Sequence, residues 1–104
     1  MVIWKYEIPI RDLFEIEMPD SAEVLCVQMQ KETPCIWVMI PEKLEKNTKR
    51  SFAIVGTGQS FNDANYFYVG TFQQYKGELI WHLFERFSDR VEQILEDSYE
   101  ALNF

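Results

Sequence analysis

The side chains best suited to ligand chemistry lie in one short stretch of the sequence, residues 51–73. Gly56 and Gly58 allow backbone angles that other residues avoid, and the residues after them carry hydroxyl, amide and carboxyl groups. Such groups form directional hydrogen bonds with the edges of a small ligand, and the aromatic rings that follow can stack on a base. We therefore expect a ligand site formed by Thr57, Gln59, Asn62, Asp63, Asn65, Tyr66 and Tyr68.

A basic residue must meet the phosphate of a nucleotide, because the chain as a whole has a net charge of −7. Lys49 and Arg50 end the basic connection 42–50, which is also typical of a solvated loop. About eight residues of strand, roughly 25 Å, separate these two residues from the polar loop. We therefore expect them to contact the ligand from a neighbouring subunit, which predicts a homo-oligomer.

Groups for catalysis and metal binding are scarce. His82 is the only histidine and lies in an apolar run, which favours a satisfied core or edge residue over a general base. Cys26 and Cys35 have no partner at metal-ligand spacing and are interpreted as reduced thiols, with a disulfide between neighbouring strands left open. We expect no catalytic residue, no metal site and no cofactor.

The apolar pattern predicts a mainly β (α+β) fold. Apolar and polar residues alternate with period two over residues 2–8, and the runs 34–41 and 78–84 are apolar on both faces, as in buried strands. We expect one domain with about seven antiparallel strands in a compact sandwich or barrel-like sheet over residues 1–87. Apolar residues at helical spacing predict one C-terminal helix over 88–104, which packs on the same domain or forms an oligomer interface.

Six segments of the sequence carry a resemblance: Ile3-Trp-Lys-Tyr-Glu-Ile8, Leu25-Cys-Val-Gln28, Pro34-Cys-Ile-Trp37, Gly56-Thr-Gly58, Val69-Gly-Thr-Phe-Gln73 and Leu79-Ile-Trp-His-Leu-Phe84. Taken in order, they resemble a widespread family of short phage and prophage proteins. The family is chiefly a domain of unknown function, and it includes candidate anti-defence factors, among them sponges that sequester cyclic nucleotide immune signals without degrading them. The resemblance spans residues 2–85 and carries over no residue-level binding motif.

Two functional hypotheses follow. The first is a non-enzymatic anti-defence protein that binds a cyclic dinucleotide or related nucleotide in the cytoplasm of an infected or lysogenic bacterial host. The second is an acidic interaction module that inhibits a host protein or mimics nucleic acid. Residues 85–104 favour the second, because they hold six acidic and two basic side chains and so carry −4 of the net charge. The acidic balance disfavours nucleic-acid polymers and membranes as partners.

Overall fold

The computed structural model describes residues 1–43 and 46–87. These residues form seven strands and one short 3-10 turn. The strands are β1 (Val2–Glu7), β2 (Leu13–Pro19), β3 (Glu23–Gln30), β4 (Thr33–Ile40), β5 (Asn47–Gly56), β6 (Tyr66–Gln74) and β7 (Leu79–Arg86). The turn Tyr75–Gly77 joins β6 to β7.

The strands form two antiparallel sheets, one with the order β1-β4-β3 and one with the order β2-β5-β7-β6. Seven antiparallel strands are confirmed, and β4, whose residues are apolar on both faces, lies between two neighbours as expected. The α+β fold class is wrong, because the described residues contain no α-helix and are all-β. The α+β assignment depended on the helical spacing of residues 88–104, and this predicted helix lies outside the described residues. Within the described part of the chain, no helix has the length and apolar character needed to cross a membrane.

The two sheets meet where edge strands β3 and β6 pass each other. A Cβ atom placed on Gly70 would lie 2.8 Å from Val27 Cγ1, so only glycine lets the strands approach this closely. Each strand has a register shift just before this contact, between Val24 and Cys26 in β3 and between Tyr68 and Gly70 in β6. A β-bulge bends its strand and interrupts the hydrogen-bonded ladder. The edges therefore touch without joining into one sheet.

The main core lies on the inner face of the four-stranded sheet, which we define as the face that carries Phe52 and Leu83. The Phe14 and Phe52 rings stack there, with centroids 5.3 Å apart. Strand β5 is also buried on its opposite, outer face, where Ala53 and Val55 are only 1% and 6% exposed. The other buried core residues are Ile8, Met18, Ala22, Val27, Ile36, Val38, Ile54 and Phe72.

Candidate functional site

Four side chains form a hydrogen-bonded chain across the outer face of the four-stranded sheet. His82 Nε2 lies 2.8 Å from Thr57 Oγ1, and His82 Nδ1 lies 2.9 Å from Thr71 Oγ1. The Tyr68 hydroxyl lies 2.5 Å from the same Thr71 oxygen. We call Tyr68, Thr71, His82 and Thr57 the outer-face chain. Both ring nitrogens of His82 have partners, which confirms its interpretation as a satisfied histidine and fixes the orientation of the ring.

A β-bulge brings Tyr68 and Thr71 to the same face of β6. Residues three apart in a regular strand point to opposite faces, because side chains alternate with period two. The register shift between Tyr68 and Gly70 inserts one extra residue, so that Tyr68 lies opposite Phe84 and Thr71 lies opposite His82. Period-two alternation in the sequence places Thr71 away from Tyr68, and sequence reasoning therefore missed Thr71 as a site residue.

The turn after β5 holds Thr57 over His82. Gly58 has a φ of 87°, in the left-handed region that favours glycine. Gln59 Oε1 accepts a hydrogen bond from Gly56 N at 2.9 Å, and Gln59 N donates to the Gly56 carbonyl oxygen at 3.0 Å. The Gln59 amide thus stabilises the turn, and Thr57 is the turn residue that joins the outer-face chain.

Asn62, Asp63 and Asn65 shape the rest of the loop through local contacts. Asn62 Oδ1 accepts a hydrogen bond from Ala64 N at 3.1 Å, and the Asp63 carbonyl oxygen accepts one from Tyr66 N at 3.0 Å. Asn65 has a φ of 68°, which asparagine tolerates better than most residues. These three side chains are exposed, so their outer atoms remain accessible to a ligand.

An aromatic cluster lies beside the outer-face chain on the same face of the four-stranded sheet. Phe61 lies 4.9 Å from Phe84 and 5.2 Å from Tyr66, measured between ring centroids. Tyr68 contacts Phe84 edge to face at 5.7 Å, yet Tyr68 remains 58% exposed. Phe61 of the loop thus partly covers Phe84, and Tyr68 remains an exposed ring that packs against Phe84.

The predicted phosphate contact Arg50 lies on the inner face instead. Arg50 Nε donates a hydrogen bond to Glu85 Oε1 at 2.5 Å, and Arg50 Nη1 donates to the Ala22 carbonyl oxygen at 2.8 Å. The Arg50 and Glu85 side chains are only 12% and 2% exposed. Burial raises the pKa of the Glu85 carboxyl, although the hydrogen bond and the charge of Arg50 oppose that rise. The structure therefore does not bring Arg50 to the loop.

The second predicted phosphate contact, Lys49, is exposed but distant from the outer-face chain. Lys49 lies opposite Glu17 of β2, and Val55 lies opposite His82 of β7. Val55 is six positions after Lys49 along β5, which is roughly 20 Å at about 3.3 Å per residue. Within one chain, the structure brings Thr57, Gln59 and Tyr68 together and leaves Lys49 apart from them.

The outer-face chain can present either a donor or an acceptor to a ligand. A neutral imidazole donates from one nitrogen and accepts at the other. All the hydrogen bonds of the outer-face chain can therefore reverse direction together. The exposed Thr57 hydroxyl donates to His82 in one arrangement and accepts from His82 in the other. Among the described residues, no group of three or more His, Cys, Asp or Glu side chains could hold a metal ion, and both cysteines are free thiols.

Comparison with known proteins gives a family without an assigned activity. A family model described as a domain of unknown function (DUF7352) matches residues 1–93. No curated protein and no solved structure matches the chain.

Proposed function

We propose that this chain, which belongs to the DUF7352 family, binds a cyclic dinucleotide or related nucleotide on the outer face of its four-stranded sheet. One observation carries the proposal: the Tyr68 ring is 58% exposed while its hydroxyl is held by Thr71. A ring that is already fixed loses little freedom when a base stacks on it. Such stacking contributes about 1–3 kcal/mol per base.

The hydrogen-bonding groups around Tyr68 suit the polar edge of a base. Thr57 and the turn that Gln59 stabilises lie at one end of the outer-face chain, and Tyr68 lies at the other end. A base that stacks on Tyr68 can exchange hydrogen bonds with hydroxyl groups that act as donors or acceptors. The site therefore combines a stacking surface with adaptable polar contacts.

The partners of His82 favour retention of the ligand over its conversion. In a catalytic hydroxyl–histidine pair, a carboxylate commonly orients the imidazole and stabilises the imidazolium that forms during the reaction. The corresponding partner of His82 is the neutral hydroxyl of Thr71. Because Thr71 cannot supply that negative charge, we propose a non-enzymatic function in which the bound nucleotide stays intact.

Sequestration of a nucleotide immune signal is the biological role that fits this proposal. The resemblance of the sequence to phage and prophage proteins suggests that the ligand is a cyclic nucleotide signal of an infected or lysogenic bacterial host. A protein that holds such a signal without degrading it lowers the free concentration that reaches the host effector. Tight binding of the nucleotide is sufficient for this anti-defence role, and no catalytic step is needed.

Nucleotide titration with a matched pair of variants tests the proposal. The purified protein is titrated calorimetrically with cyclic di-AMP, cyclic di-GMP and cyclic GMP-AMP, then denatured, and the released nucleotide is identified by chromatography. We expect intact nucleotide and an affinity that falls about tenfold or more in Tyr68→Ala. Trp4→Ala is the control, because Trp4 is 57% exposed but lies on β1 of the other sheet. Equal losses in both variants, or recovery of a converted nucleotide, would contradict the proposal.

The exposed edge strand β1 favours a second candidate, the acidic interaction module. Val2, Ile3 and Trp4 are 49%, 58% and 57% exposed, and β1 pairs only with β4. An unpaired apolar edge strand readily accepts a strand from another protein. Under this alternative, Trp4→Ala would prevent co-purification of a host protein while Tyr68→Ala would not, which is the reverse of the nucleotide result.

A further inference from the structure

Within one protomer, Arg50 is buried on the inner face and Lys49 lies far from the outer-face chain, whereas a cleft between the two sheets holds two other cations. This cleft, of about 660 Å³, lies between the turn that joins β3 to β4 and the turn that joins β6 to β7. Lys31 lines it from the first turn, and Tyr75 and Lys76 line it from the second. We call it the seam cleft, because it opens beside the contact between β3 and β6. A single protomer thus supplies two lysines, without the neighbouring subunit that the positions of Lys49 and Arg50 would require.

A groove connects the seam cleft with one residue of the proposed base site, Thr71. An adjoining groove of about 480 Å³ is lined by Met29, Gln73 and Lys76, which also line the seam cleft, and by Thr71, which belongs to the outer-face chain. Lys76 is five positions after Thr71 in the sequence, so their backbones are at most about 17 Å apart. The long side chain of lysine can shorten the remaining distance. One elongated ligand can therefore contact both regions.

The backbone conformation of both turns marks the seam cleft as unusual. Lys31, Tyr75 and Lys76 have φ values of 56°, 50° and 54°, in the left-handed region that glycine normally occupies. Residues in this region occur in tight hairpin turns and also cluster at ligand-binding sites. Here the same conformation recurs on two independent turns that face one cleft, and two of the three residues are cations.

The charges of the seam cleft leave its lysines available for an anion. Neither Lys31 nor Lys76 forms an ion pair with a residue that the structure describes. Glu32 and Glu78 also line the cleft, so its formal charge is balanced. The two acids weaken the attraction for phosphate, and this predicts that their neutralisation strengthens binding.

We infer that Lys31 and Lys76 hold a phosphate group of the nucleotide in the seam cleft while a base of the same ligand stacks on Tyr68. This inference rests on the proposed function and extends it. It moves the phosphate contact from Lys49 and Arg50 to the two strained turns. It also makes the site continuous across the contact between the two sheets.

Calorimetric titration with the same three cyclic dinucleotides tests the inference, and guanosine and adenosine serve as uncharged probes. In Lys31→Gln/Lys76→Gln, we expect cyclic dinucleotide affinity to fall about tenfold or more and to depend less on salt, with nucleoside binding unchanged. Lys46→Gln is the matched control and should bind as the wild type does, because Lys46 is an exposed lysine just before β5 that belongs to neither site. Glu32→Gln and Glu78→Gln should each bind more tightly.

Glycine variants separate ligand contact from a structural role of the turns. Lys31→Gly and Lys76→Gly relieve the left-handed strain, so their melting temperatures should be no lower than that of the wild type, while their nucleotide affinity should fall. If either lysine only supported the fold, its glycine variant would have a lower melting temperature and an unchanged nucleotide affinity.

The outcomes distinguish the inference from the proposed function. If Tyr68→Ala weakens binding but the double lysine variant does not, the seam cleft is not the phosphate site and the proposed function stands. If the wild-type protein binds none of the three cyclic dinucleotides, both are overturned.

Discussion

The two faces of the four-stranded sheet hold polar side chains in opposite ways. On the outer face, His82 joins neutral hydroxyl groups, and the Thr57 and Tyr68 ends of that chain are exposed. On the inner face, three residues further along β7, Glu85 is 2% exposed and pairs with Arg50. Water or a ligand can replace the outer hydrogen bonds at little cost, whereas the inner charges depend on each other. The outer group is therefore suited to recognition, and the inner pair is a fixed part of the fold.

The largest effect should come from breaking the inner pair. Arg50→Ala leaves the Glu85 carboxylate buried without its cation, which costs about 3–5 kcal/mol of unfolding free energy. Urea denaturation measures this loss. The double variant Arg50→Met/Glu85→Leu removes both charges and should recover most of the stability. A loss below about 1 kcal/mol in Arg50→Ala would mean that the inner pair behaves like an exposed one.

The pH dependence of stability sharpens the same contrast. The pKa of Glu85 is raised in the folded protein above its ordinary value of 4.5, so between these two pKa values the folded state retains a proton that the unfolded state has released. The stabilising contribution of this proton is complete below pH 4.5 and is lost as pH rises through the folded-state pKa. The unfolding free energy of the wild type minus that of Glu85→Gln should therefore fall as pH rises above this value. A difference that grows with pH would contradict the raised pKa.

Loss of the outer-face hydrogen bonds should have a smaller effect on stability. Thr71→Val removes the partner of both Tyr68 and His82 and nearly preserves side-chain shape. We expect a loss of about 1 kcal/mol or less, because the exposed groups can bond to water. Urea denaturation measures that loss, and calorimetry on the same variant should show weaker nucleotide binding because Tyr68 is no longer fixed. A stability loss as large as that of Arg50→Ala would remove the distinction between the two faces.

A smaller effect on nucleotide affinity than that of Tyr68→Ala should come from Tyr68→Phe, which keeps the ring and removes the hydroxyl. Base stacking should survive, so affinity should fall far less than in Tyr68→Ala and about as much as in Thr71→Val, because both of these variants release the ring from its hydrogen bond. Calorimetric titration of Tyr68→Phe and Tyr68→Ala measures the difference. Equal losses in Tyr68→Phe and Tyr68→Ala would assign recognition to the hydroxyl instead of the ring.

The two faces also show what the sequence could predict. Apolar alternation correctly predicted seven antiparallel strands, and the position of His82 within a strand correctly predicted a satisfied imidazole. Arg50 was expected in a basic connection because that segment is rich in charge. Strand β5 in fact begins at Asn47, and Arg50 shares its inward parity with Phe52 and Ile54. Extension of the period-two pattern back to residue 50 would have found the buried position.

Two features of the site had no clear sequence signal. The register shift before Gly70 places Thr71 beside Tyr68, and Gly70 alone does not tell whether a strand contains a bulge. The left-handed Tyr75 and Lys76 occupy turn positions where the sequence offers bulky residues, so turn propensity does not predict their conformation. The first feature accompanies the contact between Gly70 and Val27, which are distant in the sequence.

Mapping of the nucleotide by NMR tests the central claim most directly. Two-dimensional amide spectra of the ¹⁵N-labelled protein are recorded during titration with the tightest-binding cyclic dinucleotide of the panel. The account predicts the largest shifts at Thr57, Tyr68, Thr71 and His82, with Arg50 and Glu85 unchanged. Shifts confined to the inner face or to strand β1, or no shifts at saturating nucleotide, would contradict it.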